Sequence, residues 1–183
     1  MSAATTLTAA TRTVVVGRPR DGLTGFEDDA DERQRLLVIV GAAVDDAGAE
    51  PDWSSVATRT DEVLAEIHTV LREFVAAEGA LLADQRIVVL ADESAVLGDP
   101  DRPGESIVAC AVVALVRTLA MELRRRGSCV NLVLGDTIHR PGAPDAPNED
   151  LLTTVDALLS CSRDMTGQEI HLSAASHLGR IRP

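Results

Sequence analysis

Two carboxylates, Asp92 and Glu105, stand on either side of a turn-rich loop, residues 98–104 (GDPDRPG). A pair of acids held in different environments can divide the work of general acid and general base, as isomerase and hydrolase sites do. The competing reading is plainer. Carboxylates at loop ends and helix starts are often solvated or capping groups, and Glu105 opens a helix-patterned run whose positive dipole end favours it. The four histidines, His68, His139, His171 and His177, show no metal-ligand spacing. His68 in a helical pattern and His171 in a strand pattern read as structural. Asp28, Asp29, Asp31 and Glu32 form an acidic cluster without the Asp-x-Asp-x-Asp-Gly frame of a calcium loop, so a solvated loop is expected. Arg124, Arg125 and Arg126 could hold a phosphate, but they also end a helix-patterned run, where cations offset the dipole. There is no Gly-x-Ser-x-Gly elbow. No metal site is expected.

Composition narrows the chemistry further. The chain contains no tyrosine and no lysine; all 17 of its basic side chains other than histidine are arginine. A mechanism that needs a phenol as proton donor or an amine as electrostatic partner is excluded. The formal net charge of -12 disfavours phosphate backbones and anionic membranes. Aromatic residues make up 2%, too few for a base-stacking surface. Cys110, Cys129 and Cys161 are widely spaced and read as buried free thiols of a reducing, cytoplasmic compartment. The first residues lack a basic start followed by an apolar run, so no signal peptide is expected. No run is read as reaching the roughly 18 apolar residues of a membrane span.

A length of 183 residues with 45% hydrophobic content suits one domain with a substantial aliphatic core. Five aliphatic runs predict strands: residues 13–17 (TVVVG), 36–40 (LLVIV), 86–90 (RIVVL), 129–134 (CVNLVL) and 169–172 (EIHL). The middle three are nearly continuous, as strands buried on both faces should be. Apolar steps of three and four predict helices over 61–77, 105–126 and 150–160. Gly127 is a natural stop for the second. Strands alternating with helices imply a parallel α/β sheet.

With this order of elements in place, several segments look like the second half of a short-chain dehydrogenase/reductase. The run 113–123 (VALVRTLAMEL) resembles that family's "LTRSLALEL" helix, 127–133 (GSCVNLV) its "GIRVNAV" strand, and 165–172 (MTGQEIHL) its "TGQ" strand. Leu36 to Ala43 (LLVIVGAA) and Asp52-Trp53 resemble its fourth strand and the entry to the following helix. The resemblance covers roughly residues 36–176. It implies one truncated Rossmann-like domain over 1–183, with a diverged segment at 1–35 and a tail at 177–183. In the family's sheet order, strand 1 lies beside strand 4. A chain without strands 2 and 3 would keep a five-stranded sheet, at the cost of an exposed edge and a lost cofactor cleft.

The departures from the family pattern bear on function. Counting from Arg117, the catalytic tyrosine position falls on Glu105, the lysine position on Ala109 and the serine position on Asp92. The helix asparagine falls on Thr60 or Ala65. The "NNAG" turn becomes Gly41-Ala42-Ala43, the proline-glycine after the sixth strand becomes Gly135-Asp136, and the final "DGG" becomes Ser173-Ala174-Ala175. Of the dinucleotide fingerprint only Gly17, Gly22 and Gly25 remain, at the wrong spacing. None of the family's catalytic or cofactor-binding residues carries over.

The resemblance therefore implies a non-catalytic subunit. It would pair, through helices 61–77 and 105–126, with an active NADP(H)-dependent relative, as a heterotetramer. Within 105–126 the residues Ile107, Val108, Ala111, Val112, Leu115, Leu119 and Met121 exceed what one sheet face needs, and a surplus apolar face marks an interface. The "TGQ" region looks like 3-oxoacyl-(carrier protein) reductases. Pairs with one degenerate member are implied in bacterial secondary metabolism, including aminocoumarin-type antibiotic pathways. A carrier-protein-bound acyl or aminoacyl substrate would follow. The Arg-only, Ala-rich composition fits a high-GC actinobacterial genome. Two readings stand beside it: a stand-alone pseudoenzyme binding a small ligand, and a non-nicotinamide enzyme using Asp92 and Glu105.

Overall fold

The computed structural model describes residues 11–16, 35–40, 52–76, 85–98, 102–135, 149–160 and 165–172. Five strands, β1 (Arg12–Val16), β2 (Arg35–Val40), β3 (Arg86–Asp92), β4 (Cys129–Gly135) and β5 (Glu169–His171), form one sheet. Their order is β1-β2-β3-β4-β5, and every pairing is parallel. β1 lies at one edge beside β2, as expected for a sheet whose first strand neighbours the strand before the long helix. Residues 17–34, which hold Gly17, Gly22, Gly25 and the acidic cluster from Asp28 to Glu32, lie outside the described residues, as do Gly41-Ala42-Ala43, Asp136, His139, Cys161, Ser173-Ala174-Ala175 and His177.

The period-2 alternation of strand side chains builds two cores. On one face Leu36, Val38, Ile87, Val89, Val130, Leu132 and Leu134 pack under α1 (Trp53–Ala76) and α3 (Pro103–Leu123). On the other, Leu37, Ile39, Val88, Leu90 and Val133 pack under α4 (Glu149–Ser160). A central sheet with helices on both faces is the three-layer Rossmann-like arrangement that the aliphatic strand runs imply.

The helices depart from expectation at their ends. α1 begins at Trp53, two turns before the apolar periodicity starts. Asp52 caps it: its carboxylate accepts from Ser54 N–H (3.1 Å), Ser54 Oγ–H (2.8 Å) and Ser55 Oγ–H (2.7 Å). A cap supplies start information that periodicity lacks. α3 starts with Pro103 and runs into a 3-10 turn at Arg124–Arg126, closed by Gly127 at φ 74°. That left-handed value is cheap for glycine, so the predicted stop holds. The segment Pro103–Arg126 is long and apolar enough by composition to cross a membrane, which the sequence reading did not anticipate. One of its faces, Val108, Val112, Val116, Ala120 and Leu123, is buried against the sheet, as in the core helix of a globular domain. Cys129 is buried as expected, but Cys110 is exposed on the opposite face of α3, because it falls outside that buried stripe.

Two segments that look alike in sequence to one family also touch each other. Gly167, at φ 73°, sits so that an added Cβ would meet Ala120 Cβ at 3.4 Å. Arg117 Nε donates to Glu169 Oε1 at 2.6 Å. Buried Asn131 of β4 clamps the turn before β5: its Nδ2 donates to Met165 O (2.9 Å) and its Oδ1 accepts from Gln168 N–H (3.1 Å). Thr166 Oγ1 accepts from Val130 N–H at 3.1 Å. The Thr-Gly-Gln segment is thus a docking turn for β5.

Candidate functional site

In open parallel sheets, ligand sites form outside the carboxyl ends of the strands. Here that edge gathers Asp92 at the end of β3, Gly135 opposite it at the end of β4, and His171 at the end of β5. A short helix, α2 (Glu93–Val96), which the sequence reading did not predict, turns the chain away from β3. Asp92 is its N-cap and accepts from Ser94 N–H and from Ser94 Oγ–H, each at 2.8 Å.

Asp92 and Glu105, the two carboxylates flanking the loop, are brought together by a residue the sequence reading did not single out, Arg102. Its Nη1 lies 2.7 Å from Glu105 Oε2 and 3.5 Å from Asp92 Oδ2, and its Nη2 donates to Ser94 Oγ at 2.9 Å. Asp92 and Glu105 are each 6% exposed, so neither is solvated; of the two plain readings the capping one holds, with Asp92 at the start of α2 and Glu105 in the first turn of α3. The chain turns at Pro103 and places both acids around one guanidinium. Burial is tolerable because the charges are paired and hydrogen-bonded. Both acids face the same guanidinium, so they do not stand in the two contrasting environments that divide an acid from a base. The signal in the sequence was the arginine three residues before Glu105, at helical pairing distance from it.

The other positions resolve as follows. Ala109 is buried in α3 and Thr60 in α1, with no partner for Thr60 Oγ1 among the described residues, whereas Ala65 faces solvent. Thr60 is therefore the inward position of the two. His171, read as structural, engages a group the sequence reading missed: its Nδ1 lies 2.5 Å from Oε1 of Glu93, which is 3% exposed. His68 is exposed on α1. Arg124, Arg125 and Arg126 are all exposed at the end of α3. Among the described residues no group of three or more His, Cys, Asp or Glu stands as a metal site.

Among the described residues, the side chains at this edge are not those that the resemblance assigns to contact with a nicotinamide cofactor. The positions that the resemblance assigns to serine, tyrosine and lysine hold Asp92, Glu105 and Ala109. Two buried carboxylates stand where a neutral hydroxyl and a phenol would meet a carbonyl oxygen, and a methyl stands where an ammonium would hold the ribose.

No family model matches the chain, and no curated protein matches it significantly. Solved structures do. The acetoin dehydrogenase from Salmonella typhimurium superposes with a TM-score of 0.64 at 17% identity, over 78% of this chain and 64% of that one. The acetoin dehydrogenase from Enterobacter cloacae gives 0.64 at 16% identity, over 82% and 67%. A 4-hydroxyisoleucine dehydrogenase complexed with NADH and succinate gives 0.58 at 18% identity, over 75% and 67%. This chain thus matches less than two thirds of the length of the Salmonella enzyme. At such identities the likeness shows the fold: a five-stranded parallel, Rossmann-like α/β fold shared with these dehydrogenases.

Proposed function

We propose that this chain is a subunit without hydride-transfer chemistry of its own, which pairs with an active NADP(H)-dependent short-chain reductase. The observation that carries this reading is the Asp92–Arg102–Glu105 network. At the positions that the resemblance assigns to the family's serine and tyrosine it places two buried carboxylates that share one arginine. The partner would hold the cofactor and interconvert hydroxy and keto groups, on a carrier-protein-bound acyl or aminoacyl substrate of bacterial secondary metabolism.

The outward face of α3 supports the pairing. Ile107 is 47% and Met121 72% exposed, and Cys110, Ala114 and Thr118 lie between them on the same face. Val108 and Val112, first counted as surplus, belong to the core, and Leu115 and Leu119 lie partly buried beside it. The outward face of α1 is different: Asp61, Glu62, Glu66, Arg72 and Glu73 are exposed there. The contact in this proposal therefore centres on α3, with α1 supplying a charged rim.

Two assays test the reading. The pure chain should show no NADPH turnover with keto substrates, while its mixture with the active relative should. Replacing Met121 by Glu should leave the chain folded and abolish the mixed complex. NADPH turnover by the pure chain, or a mixed complex indifferent to Met121→Glu, would overturn it.

A further inference from the structure

The carboxyl edge of the sheet holds a second polar pair that the arginine network does not use. Glu93 follows Asp92 directly, and its side chain reaches past the end of β4 to His171 on β5. Oε1 of Glu93 lies 2.5 Å from Nδ1 of His171. Oε2 is buried and has no hydrogen-bond partner among the described residues. The carboxylate is 5% exposed, whereas the His171 side chain is 41% exposed.

The contact bears on the chemistry of the ring. An imidazole with one N–H has two tautomers, and a carboxylate facing Nδ1 favours the one with the N–H there. In that tautomer the lone pair resides on Nε2, in a side chain that is 41% exposed. Among the described residues no other donor meets Glu93, so its carboxylate is directed at the imidazole. A carboxylate in that position orients the ring and stabilises the positive charge that develops when Nε2 attacks an electrophile. The low dielectric around Glu93 strengthens that interaction.

We propose that Glu93 and His171 form an acyl-accepting pair, with Nε2 of His171 as the nucleophile and small activated esters and thioesters as its substrate class. The step balances without a cofactor. Nε2 forms a bond to the acyl carbon, and the acyl C–O or C–S bond breaks, its electron pair leaving with the oxygen or sulfur, which takes a proton from water and leaves hydroxide. Glu93 takes the Nδ1 proton, which leaves a neutral acyl-imidazole. Hydroxide then adds to the acyl carbon, the acyl C–N bond breaks with its electron pair returning to Nε2, the acid departs, and Glu93 returns the proton to Nδ1. The net reaction is ester plus water to acid plus alcohol. The activity concerns acyl transfer rather than hydride transfer and is independent of the subunit reading above.

The composition makes the test selective. With no lysine and no tyrosine in the chain, two of the usual competing acyl acceptors are absent, and the exposed thiol of Cys110 is mapped alongside the histidines. His68, exposed on α1, serves as the internal standard. The full chain is treated with diethyl pyrocarbonate at neutral pH, and adducts are mapped by peptide mass spectrometry over time. His171 should be acylated about tenfold faster than His68, the low end of the advantage a positioned proton-transfer partner gives. Glu93→Gln should remove that advantage and leave the His68 rate unchanged. If the variant does not fold, nitrogen-15 NMR of the wild-type imidazoles decides: His171 should populate the Nδ1–H tautomer. Acylation of His171 no faster than that of His68, a Glu93→Gln chain that keeps the full rate, or an Nε2–H tautomer would each overturn the proposal.

Discussion

Replacing Arg102 by Met is the perturbation that probes the arrangement at the carboxyl edge most deeply. Arg102 Nη1 lies 2.7 Å from Glu105 and 3.5 Å from Asp92, with side-chain exposures of 21%, 6% and 7% for the three residues. At an effective dielectric near 20 the two attractions are of order 6 and 5 kcal/mol before desolvation. Deleting one partner of a buried ion pair costs about 3–5 kcal/mol, because the remaining charge is left uncompensated. Two features place the expected loss at the low end. Asp92 keeps both hydrogen bonds from Ser94, and Glu105 stays in the first turn of α3, near its positive end. The expected destabilisation is about 3 kcal/mol, roughly 10 °C in melting temperature for a chain of this size. Urea unfolding should be followed by far-UV circular dichroism, since the single tryptophan, Trp53, is 62% exposed and a poor reporter of the core. The combined Asp92→Asn, Arg102→Met, Glu105→Gln chain should recover most of the loss, because neutral groups need no counter-charge. A loss below about 1 kcal/mol for Arg102→Met, the range of exposed pairs, would refute the reasoning. So would a triple variant as unstable as the single one.

Other expectations follow from particular contacts. Leu132→Ala, at a fully buried position of β4, should cost about 2–5 kcal/mol in the same unfolding assay. Gly167→Ala should cost about 1–2 kcal/mol, since φ is 73° and the new methyl meets Ala120; hydrogen exchange should show the loosening confined to β5 and its turn. Asp52 is held below the ordinary 3.8 by hydrogen bonds from Ser55 and Ser54. A carboxylate lowered on folding adds stability above its unfolded value and loses it as pH falls through the folded value. Asp52→Asn should therefore flatten the part of the acid-stability curve that lies below about pH 3.8, read from circular dichroism during acid titration.

The sheet was legible because burial on both faces forces long aliphatic runs. All five strands fall within a residue or two of their expected bounds, with β3 and β4 extending one or two residues further, to Asp92 and Gly135. The long middle helix was legible for the same reason, its inner face being a continuous apolar stripe. What the sequence hid depends on contacts between distant segments. The start of α1 rests on a cap at Asp52 and on only two inward residues, Val56 and Thr60, over its first turns. Four residues of α2 are too few to show a period. The site was half visible. Asp92 and Glu105 could be singled out by position, but that one arginine meets both is a contact that spacing alone does not give. The pairing of Glu93 with His171 joins residues far apart in the chain and cannot be read from spacing. The co-occurrence of the Arg117 helix motif and the Thr-Gly-Gln motif, which first pointed to a family, has a physical basis. They meet through Arg117–Glu169 and through Gly167 against Ala120, so they report the packing of β5 as much as any activity.

The account's central claim is that this chain works within a mixed oligomer. Native mass spectrometry of the chain co-expressed with the intact short-chain reductase encoded nearest to it tests that claim directly. The account predicts a defined mixed assembly with two copies of each chain, which Met121→Glu dissociates. A homodimer or monomer of this chain, with the reductase purifying separately and fully active, would contradict it.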